Sequence, residues 1–260
     1  MRTAYLDHPG PVPMAHRGFS LEGLENTMVA FEGAVELGYR YVETDVHATR
    51  DGVVVAFHDH SLDRLTDRVG RIPDLSWREV SRARIGARPQ PVPQLEELLG
   101  AWPDLRVNID IKSPGAILPL ARVIERTRAH DRVCIASFSD QRRREGLMRL
   151  TRPVVTSAGQ TTAARFRAAA ALPPLVRTPV VARVLAGVDG LQVPVRRSGV
   201  EVVTPTTVEA AQEVGAFVHV WTVNEVPEMV RLLDLGVDGI VTDRADLLKE
   251  VLQARGEWVG

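Results

Sequence analysis

Tyr41-Val42-Glu43-Thr44-Asp45-Val46-His47, with the return leg Val53-Val54-Val55-Ala56-Phe57-His58, is the stretch on which the reading of this chain turns. Side chains alternate along a strand, so Glu43 and Asp45 share one face while Val42, Thr44 and Val46 share the other. Asp51-Gly52 between the two runs is a tight-turn signal. With those two residues as the loop, the ladder sets His58 directly opposite Asp45, Cβ atoms roughly 4.5–5.5 Å apart. Two acids and an imidazole then gather at one spot by local geometry.

Upstream, Pro11-Val12-Pro13-Met14-Ala15 is a short buried-strand candidate ending at His16-Arg17-Gly18. Glu25 to Gly38 has helical periodicity through Met28, Phe31, Val35 and Leu37, with Gly38 as the stop. Downstream, residues 59–104 are longer than a simple strand-to-helix connection. Within them, Ser76 with Glu79 three later signals a capping box. Leu105 to Lys112 is a second unusual strand, with Asn108, Asp110 and Lys112 on one face and Val107, Ile109 and Ile111 on the other. From there strand and helix alternate. Pro173-Pro174 interrupts an Ala/Arg-rich helical stretch over 160–186, and Thr204-Pro205 starts another helix, Thr as cap and Pro at its first position.

Core strands near residues 13, 42, 108, 134, 155, 191, 219 and 240, nearly all followed by helices, predict an α/β fold. Eight βα units in about 250 residues are the size and order of a (β/α)₈ TIM barrel. Here it carries a short hairpin and insertion after strand 2. We expect one catalytic domain over 1–260, its core about 12–254. An open doubly wound sheet is the alternative, and its glycine-rich dinucleotide fingerprint is missing.

Of the 260 residues, 45% are hydrophobic and 25% charged, the proportions of a globular protein with ample core material. A formal net charge of −1 gives no electrostatic footprint for nucleic acid or an anionic membrane. Cys134 is the lone cysteine, which excludes an internal disulfide, and its setting reads as core. No stretch reaches ~18 consecutive apolar residues and the start has no apolar run suited to secretion. A soluble cytoplasmic protein is the expectation; oligomeric state is not legible.

In such a barrel the active site lies at the carboxyl ends of the strands. His16-Arg17 ends strand 1, Glu43-Thr44-Asp45 strand 2, Asp110-Ile111-Lys112 strand 3 and Trp221-Thr222-Val223-Asn224 strand 7, and the hairpin adds His58. A single inward acid reads equally as a salt-bridge partner, and Lys112 alone would neutralise Asp110. Three acids against one lysine leave excess negative charge, which a bound cation relieves. Oxygen ligands favour a hard ion, Mg²⁺ or Ca²⁺. His16 and His58 then read as an acid/base pair, since imidazole titrates near neutral pH. Arg17 offers an anionic oxygen a fork of donors, and Trp221 is either core or a wall for the apolar part of a ligand. His47 reads as rim, His60 as a solvated loop residue, and His8, His130 and His219 as structural or exposed. Asn224 and Asp243 read as helix caps, and Arg142-Arg143-Arg144 as a solvated helix face.

These residues carry a family resemblance. His16-Arg17-Gly18, Glu25-Asn26-Thr27 with Ala30-Phe31, Glu43-Thr44-Asp45-Val46, Asp51-Gly52, His58-Asp59, Leu62 and Arg64-Leu65-Thr66 together resemble the N-terminal signature of the glycerophosphodiester phosphodiesterases. Asn108-Ile109-Asp110-Ile111-Lys112, Trp221-Thr222-Val223-Asn224 and Gly236 to Asp243 continue the pattern, which runs from about residue 12 to 250. The resemblance implies a metal-dependent hydrolase that splits a small-molecule glycerophosphodiester into glycerol 3-phosphate and an alcohol. By position it makes Glu43, Asp45 and Asp110 ligands of the divalent cation, His16 and His58 the acid/base pair, and Arg17 and Lys112 phosphate contacts. The third ligand is usually glutamate in that family, and here it is Asp110. Alternatives on the same barrel are a phospholipase D-like or lysophospholipid-cleaving enzyme, a metal-dependent isomerase or lyase of a sugar or sugar phosphate, and a non-catalytic phosphate-binding barrel.

Overall fold

In the computed structural model, which describes residues 4–260, the eight predicted strands form the barrel wall. They are β1 Val12–His16, β2 Tyr41–Ala48, β3 Arg106–Ile111, β4 Val133–Ala136, β5 Val155–Thr156, β6 Gly190–Pro194, β7 Phe217–Trp221 and β8 Gly239–Thr242. All their mutual pairings are parallel, in the order β5-β4-β3-β2-β1-β8-β7-β6. The two ends meet through a parallel bridge between Ser157 and Gly190, with Ala158 N donating to Gly190 O at 2.9 Å. The ring is thus nearly closed, with helices between successive strands.

Alternation within each strand divides the core in two. Inward side chains such as Tyr41, Met14, Cys134 and Phe217 fill the barrel interior with Tyr5 as a plug. Outward ones such as Val42, Val46, Val107 and Ile109 pack against helix residues including Leu120 and Ile124. Nearly every helix falls where its periodicity or cap predicts. Helices Gln160–Ala170 and Pro174–Val184 are split by the proline pair, and Thr204 caps Pro205–Gln212 by accepting from Thr207 N. The exception is α1, Met28–Glu36, which starts later than Glu25. Asn26 sits at φ 56°, outside the helical region, and its amide is committed to strand β2. Among the described residues no helix is long and apolar enough to cross a membrane.

The hairpin register differs by one residue from the expectation. The ladder pairs Val46 with Ala56, His47 with Val55 and Ala48 with Val54, and Phe57, not His58, faces Asp45, donating to Asp45 O at 2.9 Å. The loop has three residues rather than two. Thr49 N donates to Val53 O, and Gly52 takes the left-handed position at φ 84° that such a loop requires. The return strand ends at Ala56, so His58 leaves the ladder and still turns into the barrel mouth. The segment after it is not a bare loop. It holds the capping-box turn Trp77–Val80, where Glu79 accepts from Ser76 N at 2.8 Å, and helix α2, Leu95–Ala101. A small core of its own, including Phe57, Leu62, Ile72 and Ile85, holds it on the barrel.

Candidate active site

Parallel register brings the polar strand ends to one level. His16 lies beside Glu43, Glu43 beside Asn108, and Asp45 beside Asp110. All eight residues singled out from the sequence, His16, Arg17, Glu43, Asp45, His58, Asp110, Lys112 and Trp221, line one cavity of about 160 Å³ at the carboxyl ends of the strands.

The charges are unequally shared. Asp45, 1% exposed, takes Lys112 Nζ at 2.7 Å and Arg17 Nε at 3.0 Å, and accepts from Asn26 Nδ2 at 3.1 Å. Burial pushes its carboxyl up, but Lys112 and Arg17 outweigh burial and hold it below the usual range. Asp110 shares Lys112 at 2.8 Å through one oxygen, while its Oδ1 is buried without a hydrogen-bond partner, and burial raises its pKa. Glu43 is worst placed. Its Oε2 is buried and unpartnered, the nearest cationic group is His16 Nε2 at 3.7 Å, and burial, with Asp45 adding to it, pushes its carboxyl up to about 8. Among the described residues no three His, Cys, Asp or Glu side chains stand in a ready-made metal-holding arrangement, Lys112 lying between Asp45 and Asp110. Two orphaned carboxylate oxygens facing one cavity nonetheless fit a hard cation, which binds oxygen alone.

Both histidines have a carboxylate at Nδ1. His16 Nδ1 donates to Asp243 at 2.6 Å and His58 Nδ1 to Asp59 at 2.7 Å. Each carboxylate fixes a tautomer and turns Nε2 away from itself. Burial disfavours a charged His16, yet Glu43 and the Asp243 hydrogen bond outweigh it and raise the imidazole's pKa. Asp243 is one of the residues that sequence reasoning missed. It is not a cap, since Arg244 holds that position of the last helix; Asn224, likewise no cap, donates to Asp243 Oδ2 at 2.9 Å and accepts from Asp243 N. The signal existed only in the fold: Ala15 pairs with Thr242, so His16 falls beside Asp243.

Two further expectations are corrected. His47 is not rim but buried within β2, its Nε2 against His58 O at 3.1 Å, and burial pulls its pKa down to about 4. Arg143 is buried, with Nη1 donating to Gly187 O at 3.1 Å, and Arg142 donates to Ile111 O at 2.8 Å; only Arg144 of the three is exposed. Cys134 is core, as read. Trp221 stands at the cavity wall rather than in the core, edge-on to Phe138 at 5.8 Å between centroids, and Lys112 Nζ sits 5.3 Å from the Phe138 ring. Phe138 carried no signal in the sequence.

Comparison with known proteins decides the kinship. A sequence profile of the glycerophosphoryl diester phosphodiesterase family matches residues 16–247. The chain belongs to that family. A Mycobacterium tuberculosis relative named "Probable glycerophosphodiester phosphodiesterase 2" is 49% identical over 257 residues, covering 98% of this chain and 96% of that protein. A glycerophosphodiester phosphodiesterase of Caldanaerobacter subterraneus subsp. tengcongensis is 28% identical, covering 94% of this chain and 98% of its own. Among solved structures, a glycerophosphodiester phosphodiesterase from Agrobacterium tumefaciens superposes with a TM-score of 0.75 at 23% identity, covering 94% of this chain and 99% of that one. A phosphodiesterase from Oleispira antarctica, solved with the product sn-glycerol-3-phosphate, gives 0.75 at 21% identity, covering 94% and 97%. The glycerophosphoryl diester phosphodiesterase family thus shares its barrel with this chain over nearly the whole length.

Proposed function

We propose that this chain is a metal-dependent phosphodiesterase that hydrolyses glycerophosphodiesters, the deacylated headgroups of phospholipids, to glycerol 3-phosphate and an alcohol. One observation carries the reading: two imidazoles, each steered by a carboxylate, face one cavity that also holds Arg17 and Lys112. A phosphodiester repels nucleophiles because its oxygens are negative. Arg17 and Lys112, both in ion pairs at the cavity floor, suit those oxygens and stabilise the charge that builds at transfer. One histidine takes the proton of the attacking water or of the neighbouring glycerol hydroxyl, and the other protonates the departing alkoxide. Each transfer is worth about 10²–10⁴, and positioning with charge neutralisation supplies the rest.

Glu43, Asp45 and Asp110 would hold the divalent cation, Mg²⁺ or Ca²⁺. When bound it supplies positive charge beside the phosphoryl oxygens, answering the two carboxylate oxygens left without partners. Trp221 and Phe138 form an apolar ledge for the less polar part of the substrate. We take the whole chain as one catalytic barrel. The test is a coupled assay for glycerol 3-phosphate, run on glycerophosphocholine, glycerophosphoethanolamine and glycerophosphoglycerol with and without chelator. Release that stops on chelation and returns with Mg²⁺ or Ca²⁺ is expected; no release from any of the three would overturn the proposal.

A further inference from the structure

The carboxylates behind the two histidines are anchored differently. Asp243 belongs to the barrel wall and is held by Asn224. Asp59 belongs to the insertion, and Arg64, five residues on, grips it from the side: Arg64 Nε donates to Asp59 Oδ2 at 2.5 Å and Nη2 to Oδ1 at 3.1 Å. The same Nη2 donates to Glu25 Oε1 at 2.9 Å, and that oxygen also accepts from Arg17 Nη1 at 2.9 Å. An unbroken chain of hydrogen bonds therefore runs from Arg17, beside Asp45, through Glu25, Arg64 and Asp59 to His58.

We propose that Arg64 is a positioning residue for this site: its planar fork locks Asp59, and through it the tautomer of His58, while its other edge holds Glu25 against Arg17. The inference rests on the two-histidine reading and deepens it. Stability alone does not account for the arrangement. The Arg64 side chain is half exposed, and exposed ion pairs add little to folding. What a bidentate guanidinium adds is geometry, because five donors in a rigid plane fix both carboxylates at once. The hydrogen bond from Arg64 is also the leading cause that holds the Asp59 carboxyl down to about 2, so it stays an acceptor for His58 Nδ1 at any working pH. Without the fork, Asp59 is free to turn toward water, and the ring loses the bond that keeps its proton on Nδ1. The insertion then has a reason to pack against the β1–α1 loop: it brings the partner that aligns a histidine carried by a different element.

Arg64→Gln and Arg64→Lys test this. In Arg64→Gln, kcat should fall about 10–100-fold, as displacement of a reacting group by about 1 Å does, with the melting temperature within a few degrees of wild type. Arg64→Lys should recover part of the loss, since an ammonium reaches one carboxylate but not both. Nitrogen-15 NMR of the His58 ring, at a pH where it is neutral, should show the Nδ1–H tautomer alone in the wild type and a mixture in Arg64→Gln. Wild-type kcat in Arg64→Gln, or a loss of kcat with the His58 tautomer unchanged, would overturn the proposal. The NMR readout needs no turnover. Wild-type protein that releases no glycerol 3-phosphate would sink the proposed activity, while the tautomer shift would still decide the role of Arg64.

Discussion

Glu43 carries the charge that the pocket leaves unanswered. Asp45 has two cations and Asp110 shares one, whereas Glu43 has only a histidine at 3.7 Å. An acid whose folded pKa stands above its unfolded value costs stability as pH rises between the two. For Glu43 in metal-free protein that window runs from the ordinary carboxyl value of 4.5 to about 8, and the full cost is present above it. Glu43→Gln should therefore melt higher than wild type at pH 9 without metal, and the difference should shrink toward zero near pH 4. The same variant should lose about 10²–10⁴ in kcat, at least as much as loss of either histidine. Coincident melting curves at all pH values would show that Glu43 is not strained by burial. Asp243 acts at the same scale. Asp243→Asn keeps the shape but no longer holds the His16 proton on Nδ1, so kcat should fall about 10²-fold with KM within a few-fold. Steady-state kinetics on glycerophosphocholine would separate the two constants.

Two glycines set elements in place at very different cost. Gly18, at φ 83° in the turn that leaves β1, lies so close to α1 that a Cβ would stand 2.5 Å from Ala30 C and 2.8 Å from Phe31 N. Backbone cannot step aside as a side chain can, so Gly18→Ala combines conformational strain with overpacking, about 2–6 kcal/mol in sum. His16 and Arg17 immediately precede it, and any relief displaces them. Folded Gly18→Ala protein should lose about 10² in kcat as well as stability. Gly52, at φ 84° in the hairpin loop, meets nothing within 4 Å, so Gly52→Ala should cost about 1 kcal/mol and leave activity near wild type. Urea denaturation beside kinetics distinguishes the pair, and similar effects at both sites would contradict the contact argument. The same loop explains why register was only half legible. Asp51-Gly52 announced the turn, but the number of loop residues is decided by Thr49, which closes the loop with its backbone and with its hydroxyl to Val53 N. A one-residue error there moves His58 off Asp45 without removing it from the cavity.

At the scale of the molecule, the eight strands and the acid-bearing faces could be read because each is encoded within a few residues: apolar outward positions, polar inward ones, a helix signal after nearly every strand. What could not be read is made by closure. His16 meets Asp243 across 227 residues of chain, and Asp near a helix start gives the same local signal whether it caps the helix or holds a histidine. Buried histidines are hidden in the same way, since His47 and His219 have polar names in strand patterns and only the closed barrel shows them to be 1% exposed. Closure gives them a measurable consequence. Burial pulls the His219 pKa down from 6.5 to about 3 and leaves both ring nitrogens unpartnered. A histidine whose folded pKa lies below its unfolded value is protonated first in the unfolded chain, so stability is lost as pH falls from about 6.5. By pH 4 the loss from such a group is on the order of 3 kcal/mol, at 1.36 kcal/mol per pKa unit. Other groups titrate in the same range, and Glu43 and His16 act in the opposite sense. They are common to wild type and to His219→Gln, so they cancel in the difference between the two. Relative to wild type, His219→Gln should gain stability as pH is lowered from 6.5 to 4, in melting curves at half-unit steps. Neutral-pH activity should hold, because His219 lies at the opposite end of the barrel from the reacting groups. A difference that stays flat with pH would mean that this ring is charged or hydrated in the folded protein.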